Sequence, residues 1–343
     1  MPTNKQIHLD NRPDGEAVAS NFKLVTAETP ALKDNQVLVR HHYMSLDPYM
    51  RGRMNDSKSY AQPQPLGQTM QGGTVGEVVE SKHPKYAVGD KVVGFGGWQE
   101  YSVVDASQPG ALKKVDTTHV PLSHYLGAVG MPGVTAWYGL VKIIAPKAGE
   151  TVVITAASGA VGSAFGALAK ARGCRVVGIA GGPEKCAFVK DELGFDAVVD
   201  HHAPDFAQRL AEACPDGIDV YFENVSGPVW DAVLPLLNTF ARVPVCGLIA
   251  NYNDDPAAAS GPDRLPTTMR EILAKSITLR GFIQHEFVDA QQDDFLREAA
   301  QWIKTGQLRW REDIVDGLEQ APQAFIGLLD GKNFGKLVVR LDR

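Results

Sequence analysis

Between residues 149 and 250 the chain alternates short apolar runs with helix-like segments, and this alternation constrains the fold more than any other feature. The apolar runs, among them TVVIT from Thr151 and IDVYF from Ile218, show no regular polar alternation. Such runs are typical of parallel strands that helices cover on both faces of a sheet. The pattern therefore predicts an α/β fold with a doubly wound parallel sheet. The predicted strands are residues 151–158, 174–181, 197–200, 218–225, 242–250 and 277–283, and the predicted helices are residues 161–172, 184–192, 205–213, 229–237 and 294–305.

The first third of the chain has a different pattern. Short β-branched segments punctuated by glycine and proline occur at residues 36–42, 73–80, 90–94 and 100–104, and long helical periodicity is scarce. This favours a compact, barrel-like β domain. The tail, GKLVVRLD at residues 335–342, is β-like again and is expected to return to this first domain. At 343 residues the chain is long enough for two domains of about 100–200 residues each.

A glycine-containing turn follows the first predicted strand of the sheet. The sequence AASGAVG at residues 156–162 matches a dinucleotide fingerprint of the form A-x-G-x-x-G, with Ala157 in the first glycine position. Small residues are needed there because the backbone must turn tightly and let a pyrophosphate reach the amides of a helix N-terminus. A tight turn that binds nothing is the alternative. The position of Gly159 and Gly162 between an apolar strand and an alanine-rich helix favours the nucleotide.

The end of the second strand distinguishes NAD from NADP. An NAD-binding chain would place Asp or Glu about 20 residues after the loop to bind the ribose hydroxyls. Residues 179–182 read IAGG and contain no acid, whereas Lys185 follows closely and offers a charge for a 2′-phosphate. Glu184 is expected to point elsewhere. The sequence predicts NADP(H), with an ordinary solvated lysine as the alternative for Lys185.

Composition excludes several classes of partner. A formal net charge of −6 gives no basic footprint for nucleic acid. The N-terminal segment is polar, unlike a secretory signal, and no run of about 18 apolar residues predicts a spanning helix. The four cysteines all lie in the second half without a CxxC pair, which indicates reduced thiols. We expect a cytoplasmic protein without nucleic-acid or membrane partners.

No metal site is predicted. Cys174 is the first cysteine of the chain, and the glycine-rich segment at residues 65–78 contains no histidine, so the ligands of a catalytic zinc are missing. A substrate carbonyl would then be polarised by hydrogen bonds alone. This favours hydride addition to a conjugated alkene, where the enolate oxygen needs only modest stabilisation.

Eight stretches of the chain, in this order, resemble the zinc-free medium-chain dehydrogenase/reductase superfamily. The similarity is to its leukotriene/prostaglandin reductases, plant double-bond reductases and bacterial NADPH-dependent curcumin reductases. The resemblance implies a GroES-like β-barrel catalytic domain at residues 1–127 and 304–343 and a Rossmann NADP-binding domain at residues 128–303. The stretches are MSLDPYMRGRM (44–54), GWQEYSVVDA (97–106), MPGVTAWYGL (131–140), AASGAVG (156–162), GGPEKC (181–186), YFENVSG (221–227), CGLIANYN (246–253) and GKNFGK (331–336).

The resemblance also implies which residues bind the cofactor. Lys185 would meet the 2′-phosphate, together with His201, where the family often has a tyrosine. The remaining implied contacts run from the pyrophosphate to the nicotinamide and the returning tail: Gly159, Ala160, Val161, Gly162, Asn224, Cys246, Gly247, Leu248, Ile249, Ala250, Asn251, Tyr252, Phe282, Ile283, Gln284 and Asn333.

For the chemistry, the resemblance implies hydride transfer from NADPH to the β-carbon of an α,β-unsaturated ketone or aldehyde. Tyr252 is the first candidate for orienting the nicotinamide ribose or donating to the carbonyl oxygen, and Tyr49 and Tyr60 are candidates for the substrate pocket, with Tyr49 also a possible catalytic group. Packing is the alternative role for each tyrosine. Some relatives carry a tyrosine at the position of Ala274, so their substrate preference need not transfer.

Three functions stay open on the sequence alone. The first is a 2-alkenal/one reductase, the second is an NADPH:quinone oxidoreductase, and the third is a non-catalytic NADP-binding structural or sensor protein. The substrate would be a small enone or enal. The resemblance also implies a homodimer.

Overall fold

The computed structural model describes residues 2–254 and 261–342. The strands are β1 Thr3–Leu9, β2 Phe22–Glu28, β3 Gln36–Ser45, β4 Thr74–Ser81, β5 Lys91–Gly94, β6 Tyr101–Asp105, β7 Leu112–Lys114, β8 Thr151–Ile154, β9 Arg175–Ala180, β10 Ala197–Asp200, β11 Ile218–Phe222, β12 Leu237–Val245, β13 Thr278–Gly281, β14 Glu312–Asp316 and β15 Lys336–Arg340. The α-helices are α1 Tyr49–Arg53, α2 Met131–Tyr138, α3 Ala160–Ala171, α4 Pro183–Ala187, α5 Phe206–Ala213, α6 Pro228–Val233, α7 Leu265–Lys275, α8 Val288–Lys304 and α9 Ala321–Leu329.

Six strands form the predicted doubly wound sheet. Their order is β10-β9-β8-β11-β12-β13, and every neighbouring pair is parallel. Successive residues of β8 point to opposite faces: Val152 and Ile154 belong to one core cluster and Val153 to another. Both faces are therefore buried, which explains the unbroken apolar runs. Strand order reverses between β8 and β11, and ligands of such sheets bind at the carboxyl ends of the strands at this point.

The N-terminal strands and the tail form a second, mixed sheet. Its order is β14-β15-β3-β4-β5-β7, and β6 also pairs with β3. The first half of β3 pairs with β6 and its end pairs with β15, so the tail returns to the first domain as predicted. The β1–β2 hairpin lies beside this sheet through bridges such as Gln6 to Gln99. The α/β class with a separate mixed sheet is confirmed. The proposed domain limits stay a prediction.

Several predicted boundaries in the second half are wrong. The strands expected at residues 151–158 and 218–225 end at Ile154 and Phe222, and the helix expected at residues 294–305 begins at Val288. The strand expected at residues 242–250 begins earlier, at Leu237, and ends at Val245. Phe240 adopts a positive φ of 65°, and the strand's register shifts against β11, which lets it start early. The helix expected at residues 229–237 ends at Val233, where a 3-10 turn containing a proline follows.

Four helices, α1, α2, α7 and α9, have no counterpart among the predicted helices. The Pro/Ala/Gly-rich stretch at residues 254–266, which the sequence predicts to be a loop, ends in α7, because proline is well tolerated in a first helical turn. Residues 255–260 of that stretch lie outside the described residues. No helix in the described part of the chain is long and apolar enough to cross a membrane.

Candidate active site

The turn between β8 and α3 is the predicted phosphate loop. The Gly159 amide donates to the Ala156 carbonyl at 2.8 Å, and the Ala157 amide donates to the Ile179 carbonyl at 3.0 Å. A Cβ on Gly162 would lie 2.3 Å from the Ala156 carbonyl oxygen. Only glycine lets the helix approach the strand so closely.

The N-terminus of α3 has no side-chain cap. The Ser163 amide donates to the Gly159 carbonyl at 3.0 Å, so the amides of residues 160–162 precede the first intrahelical bond. Uncapped amides at a helix N-terminus are a favourable environment for an anion. The loop and this helix end therefore fit a pyrophosphate.

The end of β9 carries two glycines and no acid. The Asp200 carboxylate at the end of β10 accepts the Gly182 amide at 3.0 Å. The His201 ring lies against Gly181. A Cβ on Gly181 would lie only 2.9 Å from His201 Nε2. Desolvation, and secondarily His202, lowers the pKa of His201. The His201 imidazole is therefore neutral near pH 7 and can still donate a hydrogen bond.

Lys185 and Asn333 are neighbours through the loop that follows α9. The Lys185 ammonium donates to the Gly331 carbonyl at 2.5 Å. Desolvation lowers the pKa of this amine. The Asn333 side-chain amide donates to the Gly335 carbonyl at 2.8 Å, which holds the same loop. The predicted phosphate lysine and the predicted tail residue therefore lie on one side of the cofactor sheet.

Asn224 lies in a turn after β11 that is bound to the end of β8. Its backbone amide donates to the Thr155 hydroxyl at 3.0 Å, and its side-chain amide donates to the Thr155 carbonyl at 3.1 Å. The buried Glu223 carboxylate accepts the amides of Val225 and Ser226 at 2.7 and 2.9 Å. Burial raises the pKa of this carboxyl group. These bonds fix the turn at the carboxyl end of β11, beside the end of β8.

The segment after β12 lies on this turn. The amides of Cys246, Ile249 and Ala250 donate to carbonyls of residues 223–225 at 2.9, 3.0 and 3.0 Å. Burial raises the pKa of the Cys246 thiol to about 12, so it is a neutral group of the site. The predicted cofactor segment is thus placed at the carboxyl ends of the parallel strands, where the phosphate loop also lies. Its residues are Cys246, Gly247, Leu248, Ile249, Ala250, Asn251 and Tyr252.

The Tyr252 hydroxyl is held by its own segment. It accepts the Leu248 amide at 3.3 Å and lies over Gly247, where a Cβ would come within 3.0 Å. Because an amide can only donate, the phenolic hydrogen is left to donate elsewhere. Desolvation raises the pKa of Tyr252 to about 12, with smaller contributions from Cys246 and Tyr60. The hydroxyl is a neutral donor near the Tyr60 side chain.

A buried arginine of α1 joins this helix to the segment after β12. Arg51 is 1% exposed, and its Nε donates to the Asn253 side-chain oxygen at 3.0 Å. The other two guanidinium nitrogens donate to the Asn55 side chain at 2.6 Å and to the Gly15 carbonyl at 2.5 Å. Three segments that are far apart in sequence, at Gly15, at α1 and at Asn253, therefore meet at the Arg51 side chain. Asn253 directly follows Tyr252.

Tyr49 and Tyr60 line a small cavity beside α1. The cavity also contains Arg53, whose guanidinium carbon lies 4.6 Å from the centre of the Tyr49 ring. Tyr60 is exposed, whereas the Tyr49 hydroxyl is buried and makes no hydrogen bond. Burial raises the pKa of Tyr49, so this phenol is also neutral. The predicted pocket tyrosines lie together, with Tyr60 near Tyr252.

The residues after β13 are placed differently from the others. The Phe282 side chain is buried among aromatic rings of the core, 6.1 Å from the Phe222 ring centre, so only its backbone can face a cofactor. The Ile283 amide donates to the Glu286 carboxylate at 2.9 Å, and Gln284 begins a 3-10 turn.

Three residues of the site were not identified from the sequence. Asp200, Arg51 and Arg53 acquire their places only when distant segments pack together. Two arginines two positions apart in the MRGRM stretch were the only signal for the last two, and charged residues are ordinary on helices. Among residues 2–254 and 261–342, no group of three His, Cys, Asp or Glu side chains is close enough to hold a metal ion.

A doubly wound parallel sheet with an uncapped, glycine-bounded helix at its switch point defines a dinucleotide-binding protein. Two family models match the chain: an N-terminal domain of oxidoreductase over residues 5–112 and a zinc-binding dehydrogenase model over residues 160–305. The chain belongs to the medium-chain dehydrogenase/reductase superfamily, in the branch of curcumin and 2-alkenal reductases. The family predicted from the sequence motifs is therefore confirmed.

Individual relatives match over nearly the whole chain. The NADPH-dependent curcumin reductase of Escherichia coli is 52% identical, over 98% of this chain and 97% of the relative. The 2-alkenal reductase (NADP(+)-dependent) of Nicotiana tabacum is 40% identical, over 99% and 98%. The crystal structure of CurA from Vibrio vulnificus in complex with NADPH superposes with a TM-score of 0.94 at 48% identity, covering 99% of both chains.

Proposed function

We propose that this protein is an NADPH-dependent reductase of the carbon–carbon double bond of α,β-unsaturated ketones and aldehydes. The observation that carries the proposal is the convergence of the phosphate loop and the Tyr252 hydroxyl at the carboxyl ends of the parallel strands, where Arg51 of α1 binds Asn253 directly after Tyr252. The 52% identity to a curcumin reductase and the 40% identity to a 2-alkenal reductase support the same reaction class.

The residues of the site fit NADPH. The uncapped amides of residues 160–162 would bind the pyrophosphate, and Lys185 with His201 would bind the 2′-phosphate. In doing so, the Lys185 ammonium would exchange the Gly331 carbonyl for a phosphate oxygen, a stronger charge-assisted partner. Asn224 and the segment 246–252 would line the nicotinamide half. Phe282, Ile283 and Gln284 would contact the nicotinamide end of the cofactor through their backbone. Asn333 would contact the cofactor from the C-terminal tail.

When bound, NADPH supplies the hydride that adds to the β-carbon of the conjugated alkene. As that bond forms, the π electrons move to the carbonyl oxygen and give an enolate, and the α-carbon then takes a proton from water. Tyr252 would donate its hydrogen to the enolate oxygen, because its own oxygen is already held by the Leu248 amide. Tyr60, which lies near Tyr252, would donate a second hydrogen bond to the same enolate oxygen. Tyr49 would line the pocket.

The first experiment measures NADPH oxidation with an enone, an enal and a quinone, and identifies the product. A saturated ketone from the enone is expected. Activity with the quinone alone would contradict the proposal and favour quinone reduction. Tight NADPH binding without turnover of any of the three would favour a non-catalytic nucleotide-binding role.

A homodimer is part of the same proposal. Strand β13 ends the parallel sheet, and its four residues are exposed. Helix α7, which packs on β12 and leads into β13, presents Leu265, Met269 and Leu273 to solvent at four-residue spacing. An unpaired edge beside an apolar stripe is suited to pairing with the same edge of a second copy across a two-fold axis. A cytoplasmic location and residues 128–303 as the cofactor domain also remain our proposals.

A further inference from the structure

The cavity beside α1 contains an arginine without a carboxylate partner. The Arg53 Nη1 donates to the Gln71 side chain at 2.6 Å, and Tyr60 lines the same cavity. Its Nε is buried and makes no hydrogen bond. Within residues 2–254 and 261–342, no carboxylate lies within ion-pair distance of Arg53. A half-buried cation with only neutral partners has charge to spare for an anion.

A second unsatisfied group lies next to this cation. The Tyr49 hydroxyl is buried without a hydrogen bond, and its ring lies 4.6 Å from the Arg53 guanidinium carbon. A guanidinium can only donate hydrogen bonds, and a phenol can donate one. One ligand group that would satisfy both donors and the positive charge is an oxyanion.

The neighbouring arginine shows the contrast. Arg51 is fully buried, and each of its guanidinium nitrogens already donates to an oxygen of the protein. Every guanidinium nitrogen of Arg51 is therefore bound to the protein, and the side chain serves the packing of three segments. Arg53 is half-buried and faces a cavity that Ser57 and Ser59 also line.

Resting on the proposed function, we infer that Arg53 and Tyr49 form a specificity pocket for a carboxylate at the end of the substrate remote from the alkene. Tyr60 lines the same cavity as Arg53 and lies near Tyr252. A substrate with its enone at Tyr252 would therefore pass Tyr60 and reach Arg53 with its far end. Enones that carry a carboxylate are preferred over neutral ones of the same shape.

The test compares para-carboxybenzylideneacetone with its methyl ester. The ratio of kcat/KM for the acid to that for the ester is measured for the parent enzyme and for Arg53→Met and Arg53→Lys. We expect Arg53→Met to lower the ratio about tenfold, since one charge-assisted contact is lost. Arg53→Lys keeps the charge and should retain part of the ratio. Lys58→Met is the matched control, because Lys58 is an exposed cation of the same loop that does not line the cavity.

Calorimetry gives a readout that does not require turnover. Binding of the saturated para-carboxy ketone to the enzyme with NADP(+) should weaken in Arg53→Met and not in Lys58→Met. An unchanged ratio and unchanged binding in Arg53→Met would overturn the specificity pocket, as would an equal loss in Lys58→Met. If neither enone is reduced, the proposed reaction fails, and the calorimetric comparison still decides whether the carboxylate binds at Arg53.

Discussion

At the scale of single residues, the site depends on hydroxyl groups that are kept neutral and correctly turned. The Tyr252 oxygen accepts a backbone amide at 3.3 Å. This partner can only donate, so the phenolic hydrogen of Tyr252 is available for a substrate oxygen. Tyr60 lies near Tyr252 and offers a second hydroxyl. Two such donors would stabilise developing negative charge without a proton transfer.

Replacing Tyr252 by phenylalanine should lower kcat about tenfold and leave the Kd for NADPH nearly unchanged. Loss of a single oxyanion donor can cost a factor of about 100 or more, and the expected loss is smaller here because Tyr60 still donates. Steady-state kinetics and fluorescence titration with NADPH measure the two quantities. Tyr101→Phe, in β6 of the mixed sheet and away from the site, is the control.

The same variant has a signature in the pH profile. Desolvation raises the pKa of Tyr252 to about 12, so its neutral, donating form persists where an ordinary tyrosine with a pKa near 10 ionises. We expect no loss of kcat around pH 10 from ionisation of Tyr252 in the parent enzyme. A fall in kcat with an apparent pKa near 10 that disappears in Tyr252→Phe would contradict this assignment.

Lys185 should determine the preference for NADPH over NADH. Lys185→Met is expected to raise KM for NADPH about tenfold or more and to change KM for NADH little, because only NADPH carries the 2′-phosphate. Both cofactors are compared with one enone. Lys190→Met serves as the control, since Lys190 is exposed and donates to the Asp196 carbonyl away from the nucleotide loop. Equal effects of Lys185→Met on both cofactors would show that the lysine does not contact the phosphate.

At the scale of secondary-structure elements, close approach of backbone to backbone builds the nucleotide site. Helix α3 begins against the end of β8, and the turn after β11 is bound to Thr155 just beyond β8. The segment after β12 then rests on that turn. Each element positions the next, so a small displacement near Gly162 would also displace the turn after β11 and the segment after β12.

Gly162→Ala and Gly159→Ala should differ sharply. A Cβ at position Gly162 would lie 2.3 Å from the Ala156 carbonyl oxygen, whereas one at Gly159 would lie 3.1 Å from the same atom. We expect Gly162→Ala to lower the free energy of unfolding by about 1–3 kcal/mol or more and to weaken NADPH binding strongly. Gly159→Ala should be milder in stability. Thermal unfolding with and without NADPH measures both effects, and equal losses would contradict the packing argument.

The bond between Arg51 and Asn253 should couple the Tyr252 segment to α1. Asn253→Leu leaves the buried Nε of Arg51 without its acceptor, which costs about 1–3 kcal/mol, and frees the segment. We expect a lower Tm and a higher KM for NADPH. Asn253→Asp keeps the acceptor and pairs the buried charge, so it should retain the parent KM. If Asn253→Leu lowers Tm alone, the bond has no role in positioning the segment.

At the scale of the whole molecule, the parallel sheet ends at the edge strand β13, and no strand among the described residues pairs with its outer side. Leu273 of α7 is 84% exposed beside this edge. We expect the protein to sediment as a dimer and Leu273→Glu to shift it to the monomer, because a charge would be buried in the interface. Val88→Glu, at an exposed apolar residue outside α7 and β13, is the control. A monomeric parent protein would contradict the proposed dimer.

The sequence predicts most elements of the parallel sheet because each strand is buried on both faces. Continuous apolar runs such as the one from Thr151 leave little choice of structure, and the position of Gly159 and Gly162 after the strand identifies the phosphate loop. Boundaries are less certain where local geometry overrides the pattern. The early start of β12, with a positive φ at Phe240, is an example.

By itself the sequence determined the fold class and predicted the phosphate loop, because periodicity and glycine spacing are local properties of the chain, and its eight motif stretches carried the resemblance to the family. Only the tertiary structure decided the partners of Arg51, Arg53 and Asp200, since these contacts join segments that are distant along the chain. A charged side chain carries no local signal of what it will meet. Burial and the geometry of its hydrogen bonds decide whether it packs the protein or faces a ligand.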